Sequence, residues 1–284
     1  MKVKGILIPI GGNEDKGIEI SEIYHLEFIL DGILSRVVKE SGGTNASIII
    51  IPTASSIPAE VGENYLAAFS KLGCTNLHVM DIREREQSDD PANLELMKKA
   101  DCVMFSGGDQ SNITKKIGGT KLHKIMSEKY TNEPFVIAGT SAGAMCMSKE
   151  MITGGGIKEA FTKGATRMGE GMSFIPELII DSHFIRRGRF GRLAEAVAKF
   201  PKIIGIGLAE DTGLIIKGNK FEVIGSGMVI VFNARKAKHN NRKVIKEGDA
   251  MSLTNLKTHI LANGDRFNIE KKSILVSPLS ADLV

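Results

Sequence analysis

The sequence predicts an α/β protein, a mainly parallel sheet with helices on both faces, followed by antiparallel strands toward the C-terminus. Three observations carry this expectation. Continuous apolar runs bounded by turn residues recur over the first three quarters of the chain. Helix-length amphipathic segments separate those runs. From about residue 203 the texture changes to short apolar segments and tight turns.

Residues 5–10, 48–51, 77–80, 102–105 and 135–138 form apolar runs, interrupted only by His78, rather than alternating, as strands buried on both faces require. Between them, residues 23–40, 60–72, 91–99 and 122–130 read as helices; in the second, Val61, Tyr65, Ala68, Phe69 and Leu72 share one face. Later, residues 203–207, 213–217, 221–224 and 228–232 read as strands, with Lys217-Gly218-Asn219-Lys220 as a hairpin turn. No linker, repeat or low-complexity segment interrupts the chain. Residues 1–284 are therefore expected to form a single α/β hydrolytic domain, with about 203–284 as its strand-rich extension.

Composition narrows the class. Of 284 residues, 42% are apolar and 25% charged, ordinary values for a globular chain. The first apolar segment is too short for a secretory signal, and no run reaches membrane-spanning length. The three cysteines, Cys74, Cys102 and Cys146, lie far apart without metal or disulfide spacing. A cytoplasmic protein without metal, cofactor, nucleic acid or membrane partner is the expectation. The net charge of +4 comes partly from clusters at 186–192 and 235–243. The second is interleaved with asparagine and reads as a solvated loop. No aromatic platform accompanies it, which argues against a nucleic-acid surface.

The most informative segment is Gly139-Thr140-Ser141-Ala142-Gly143, directly after the apolar run 135–138. A strand ending in Gly-x-Ser-x-Gly and entering a helix makes an elbow that exposes the serine at the sheet's carboxyl end. The flanking glycines avoid clashes with a neighbouring strand or substrate. A serine that merely caps a helix is the competing explanation. Two other strand ends carry small polar residues, Pro52-Thr53-Ala54-Ser55-Ser56 and Ser106-Gly107-Gly108-Asp109-Gln110, so one crevice is expected at the carboxyl ends. The amides of Gly108 and Ala142 are candidate oxyanion donors.

A serine nucleophile needs a base. Of the six histidines, His183 follows the apolar run Leu178-Ile179-Ile180 and Asp181-Ser182, placing it at another strand end. Residues 186–200 read as a helix with Phe190, Leu193, Ala194 and Val197 facing the core. Arg187, Arg189 and Arg192 near its start make a receptor for carboxylates, since guanidinium binds them through paired hydrogen bonds.

These residues together resemble the S51 family of serine peptidases, the family of the cyanophycinases. The resemblance rests on Ser106–Gln110, Gly139–Ala144, Asp181–Phe184 with Arg187, Arg189, Arg192 and Leu193, and the stretch 205–212. It implies a fold like class I glutamine amidotransferases (flavodoxin-like). It also implies exopeptidase hydrolysis of cyanophycin, a poly-aspartate carrying arginine on each β-carboxyl, to β-Asp-Arg dipeptides through an acyl-enzyme. By the same resemblance Ser141 is the nucleophile, His183 the base and Glu159 the orienting acid. Gln110, Asp181, Ser182, Arg187, Arg189 and Arg192 then line the substrate pocket, and a homodimer is implied. Ser182 departs from the family's common glutamine, which leaves other β-aspartyl or isopeptide substrates open.

Two rival readings make different use of the same residues. An α/β-hydrolase esterase shares the elbow string and nominates His259 as base. A carboxylate- or peptide-binding protein keeps the crevice without chemistry. A class I amidotransferase would need cysteine at the elbow, and Cys146 is five residues too late.

Overall fold

The computed structural model describes residues 3–18, 22, 24–156 and 160–276. Its centre is a nine-stranded sheet. The strands β1 (Ile6–Ile10), β2 (Ile48–Ile51), β3 (Leu77–Val79), β4 (Cys102–Phe105) and β5 (Val136–Thr140) run parallel in the order β1-β5-β4-β2-β3. Apart from the edge strand β3, each is buried along its whole length, which is why the sequence shows unbroken apolar runs.

Helices α1 (Ile33–Glu40) and α2 (Pro58–Lys71) supply Leu34, Val37, Tyr65 and Phe69 to one face, against Ile8, Ile10, Ile48 and Ile50. The other face packs on α3 (Pro91–Lys99) and α5 (Lys121–Asn132), with α4 (Gln110–Lys116) between them, and on a second sheet. Asp90, Asp109 and Thr120 cap these three helices by accepting backbone N–H groups. After β5 comes the four-residue helix α6 (Ala142–Met145), then the hairpin of β6 (Glu150–Gly154) and β7 (Arg167–Glu170).

The second half of the chain serves both sheets. β8 (Leu178–Asp181) leads to α7 (Phe190–Lys199) and then to β9 (Ile204–Leu208), which runs parallel to β8. β10 (Thr212–Lys217) returns to the large sheet antiparallel to β1, pairing Leu7 with Ile216. β11 (Lys220–Gly225) follows through the expected tight turn at Gly218, whose φ is +60°. β12 (Val229–Asn233) goes back to the second sheet beside β9. A small ribbon, β13 (His239–Asn240) with β14 (Leu253–Thr254), precedes β15 (Lys257–Leu261) on β12 and the outer pair β16 (Arg266–Asn268) and β17 (Ser273–Leu275) on the large sheet. The parallel core and antiparallel C-terminal strands are those expected, but the late strands divide between two sheets.

Three local readings need correction. The helix expected over 23–40 is confined to Ile33–Glu40, because Gly32 is extended and a Cβ there would sit 2.5 Å from the Phe28 carbonyl oxygen. The helix expected over 186–200 starts at Phe190, since Arg187, Gly188 and Arg189 form tight turns back onto residues 183–185. Phe190 itself is 39% exposed, although its ring meets Phe184 and Phe232. No helix among the described residues is long and apolar enough to cross a membrane.

Phe69 is fully buried between α2 and the sheet. Phe69→Ala is expected to lower unfolding free energy by about 3–5 kcal/mol, read as a fall in the urea midpoint at unchanged slope.

Candidate active site

The carboxyl end of β1 gathers the site. Three consecutive carbonyls there accept backbone N–H groups from three distant segments: Ile10 from Ser141 at 2.8 Å, Gly11 from His183 at 2.8 Å, and Gly12 from Asp211 at 2.9 Å. All three recipients have positive φ, at 50°, 46° and 45°. Such conformations cost about 1–3 kcal/mol each and persist where surroundings over-determine them. The two glycines permit the approach. A Cβ on Gly11 would lie 1.8 Å from the Ala209 carbonyl oxygen, and one on Gly12 would lie 2.4 Å from His183 Cε1.

Ser141 has φ 50° and ψ −106°, the sharp strand-to-helix elbow that the Gly-x-Ser-x-Gly string predicts. The glycine requirement is steric. A Cβ on Gly139 would reach 2.6 Å from Gly143, and one on Gly143 would reach 2.6 Å from the Phe105 carbonyl oxygen.

Ser141 Oγ lies 3.1 Å from His183 Nε2, across 42 positions of sequence. His183 Nδ1 lies 2.6 Å from Glu210 Oε1, and Arg186 donates to Glu210 Oε2 at 3.0 Å. Burial lowers the His183 pKa below its ordinary value, partly opposed by the Glu210 hydrogen bond and reinforced by Arg187. The imidazole is therefore neutral near pH 7 and able to accept a proton. Burial pushes Glu210 up, but hydrogen bonds from His183, Arg186 and Asn13 outweigh it and hold the carboxyl below its usual range. Hydroxyl, imidazole and carboxylate form one hydrogen-bonded row, open to a cleft of about 600 Å³.

The cleft is lined by Gly107, Gly108, Ser141 and His183, together with Arg187, Glu14, Asp15, Lys16 and Tyr65. Ala142 begins α6 directly beside the serine. Gly108, with φ +140°, admits no Cβ because Ala54 O would lie 2.0 Å away. Arg187 also borders a second cavity of about 460 Å³, shared with Arg186, Arg189, Arg192, Gly155 and Gly156.

Several expected pocket residues are otherwise engaged. Asp181 is fully buried, and its oxygens accept from Arg192, with Nε at 2.6 Å, and from Arg189 at 3.1 Å. It is therefore closed to a ligand's guanidinium. Ser182 is also fully buried, its hydroxyl 3.3 Å from Met145 Sδ and 3.4 Å from Ser141 Oγ. Gln110 donates its amide to the Ile152 carbonyl at 2.7 Å and does not line the cleft. Glu159 lies outside the described residues. His259 sits on β15, paired with Val231 and beside the Phe267 ring, in a different part of the molecule from the Ser141–His183 contact.

Sequence reasoning did not single out Glu210. The signal was present. Glu210 follows the apolar strand β9 by two residues, the same arrangement that marked Ser141 and His183 at their own strand ends. Asn13 and Glu14 follow β1 in the same way and were equally overlooked.

A nucleophile elbow, a neutral imidazole and an ionised carboxylate at the strand ends of an α/β sheet define the class as a hydrolase with a candidate serine triad. Residues 23–224 match Peptidase family S51. The chain belongs to that family and is a peptidase. It is similar to a cyanophycinase from Geminocystis herdmanii, 34% identical over 94% of each chain. A cyanophycinase from Synechococcus elongatus is 28% identical over 95% of this chain and 81% of its own length. Among solved structures, a peptidase from an acI-B1 Actinobacterium superposes with a TM-score of 0.66 at 21% identity, covering 94% of this chain and 98% of that one. At that identity the likeness concerns the fold.

The Asp181 carboxylate depends on its two arginines. Arg192→Ala should lower stability by about 3 kcal/mol in a denaturant titration, because it removes the main partner of a carboxylate with no access to water.

Proposed function

We propose that the protein is a serine peptidase that hydrolyses cyanophycin, releasing β-Asp-Arg dipeptides through an acyl-enzyme. The observation that carries this reading is the 3.1 Å contact between Ser141 Oγ and His183 Nε2, backed by Glu210, in a chain of family S51. The cyanophycinases it resembles along most of its length supply the substrate.

Ser141 Oγ attacks the scissile carbonyl while His183 Nε2 takes its proton. Glu210 fixes the imidazole with the Nδ1 proton facing the carboxylate and stabilises the imidazolium that forms. The amides of Gly108 and Ala142 receive the developing oxyanion; losing one such donor typically costs about 3–4 kcal/mol of transition-state stabilisation. His183 then protonates the leaving amine, and water, activated by the same imidazole, frees the acyl product. Arg187 in the cleft, with the adjoining arginine cavity, provides the receptor for substrate carboxylates. Asp181 acts indirectly by holding Arg189 and Arg192 in place. The buried, free cysteines fit a reducing compartment, the cytoplasm.

A second reading stays within the family. Ser182, buried with its hydroxyl turned toward Met145 and Ser141, stands where the family commonly has glutamine, which leaves other β-aspartyl peptides as the alternative substrates. Incubation with cyanophycin and a panel of β-aspartyl dipeptides, with products identified by mass, decides between them. Release of β-Asp-Arg from polymer supports the depolymerase; free arginine from dipeptides with intact polymer supports the alternative. Ser141→Ala should reduce turnover by about 10⁴-fold or more while retaining binding. His259→Ala should leave turnover unchanged. The esterase reading requires the opposite.

The pH profile follows from the His183 environment. Activity needs the neutral imidazole, so kcat/KM should fall with acidification through an apparent pKa below the ordinary histidine value. Glu210→Gln removes a contact that raises this pKa, so the acid limb should move to lower pH. Arg187→Ala removes a cation that lowers it, so the limb should move to higher pH.

A further inference from the structure

We propose that Glu14 is a positioning residue of the elbow: its buried carboxylate ties Thr140, the residue before Ser141, to α2 and so holds the nucleophile in its unusual backbone conformation. This inference rests on Ser141 being the nucleophile.

Glu14 is 2% exposed and stands two residues beyond Gly12. Its Oε2 accepts a hydrogen bond from Thr140 Oγ1 at 2.5 Å. Its Oε1 accepts from the Tyr65 hydroxyl and pairs with Lys16 Nζ at 3.1 Å. One carboxylate therefore joins the loop after β1, the end of β5 and the middle of α2. Burial pushes its pKa up, but Lys16, Thr140 and Tyr65 together outweigh that and hold it below the ordinary value, so the group is an anion. Hydrogen bonds to an anion are roughly twice as strong as neutral ones, and a buried anion missing one donor is strongly disfavoured.

The triad does not use this charge, because Glu210 occupies His183 Nδ1. The elbow has a need for it. Ser141 lies at φ 50° and ψ −106°, and its side chain makes no capping hydrogen bond to α6. The backbone bond to Ile10 restrains the serine itself. The Thr140 clamp restrains the residue before it, so that Oγ meets His183 rather than relaxing away. A displacement of about 1 Å at such a centre can cost about 100-fold in rate.

The test uses Glu14→Gln and Thr140→Val, each read by the rate of Ser141 labelling with a small fluorophosphonate and by steady-state hydrolysis. Labelling and kcat should fall about 10- to 100-fold in both, with KM within about twofold of wild type. The double variant should be no worse than the weaker single variant, because both break one linkage. Thr140→Ser keeps the hydroxyl and should recover most of the rate. Unchanged labelling in either folded variant would overturn the proposal. So would a raised KM at constant kcat, which marks Glu14 as a substrate contact. If Glu14→Gln fails to fold, Thr140→Val decides alone. The phosphonate needs no peptide, so the elbow is read even if cyanophycin is not the substrate. A wild-type protein that resists the phosphonate overturns the serine assignment, and this inference with it.

Discussion

The structure depends on the way one strand end organises three others. Ile10, Gly11 and Gly12 offer consecutive carbonyls that point to different neighbours, because the chain leaves β1 in a conformation only glycine adopts freely. Each carbonyl fixes a segment bearing one part of the chemistry: the serine elbow, the turn after β8 and the turn after β9. Backbone hydrogen bonds set these positions before any side chain is considered. The side-chain contacts at 3.1 Å and 2.6 Å follow from that framework.

Charge is arranged in layers around this framework. Asp181 lies in the interior, held by Arg189 and Arg192. Arg187, nearer the surface, borders both the arginine cavity and the cleft that holds Ser141. In the same cleft, Glu14 and Lys16 pair beside Tyr65. The cleft lining therefore carries two basic side chains, Arg187 and Lys16, and two acidic ones, Glu14 and Asp15. The buried Asp181 carboxylate is thus spent on holding Arg189 and Arg192 in place.

The parallel strands were legible because burial on both faces leaves no polar alternation to obscure them, and the elbow because glycine at both flanks has a steric cause. His183 was legible from its place at a strand end. Glu210 was not, because the acid beside it, Asp211, has the same pattern; only the fold shows that Asp211 bonds to Ser226 and the Asp15 amide while Glu210 faces the imidazole. The start of α1 was misjudged because residues 24–32 are apolar enough to suggest a helix, yet Gly32 is extended and the helix begins only after it. The division of the late strands between two sheets was invisible, since short strands carry no mark of the sheet they join.

The triple anchorage at β1 also bears on how the chain becomes competent. Segments near positions 10, 141, 183 and 211 are remote in sequence, and the last of them is fixed only when β10 has paired with β1. A fragment ending before that strand lacks the antiparallel edge that flanks β1 beside the Asp211–Gly12 bond. The three backbone anchors of the site are therefore complete only when the chain as far as β10 has closed upon its first strand.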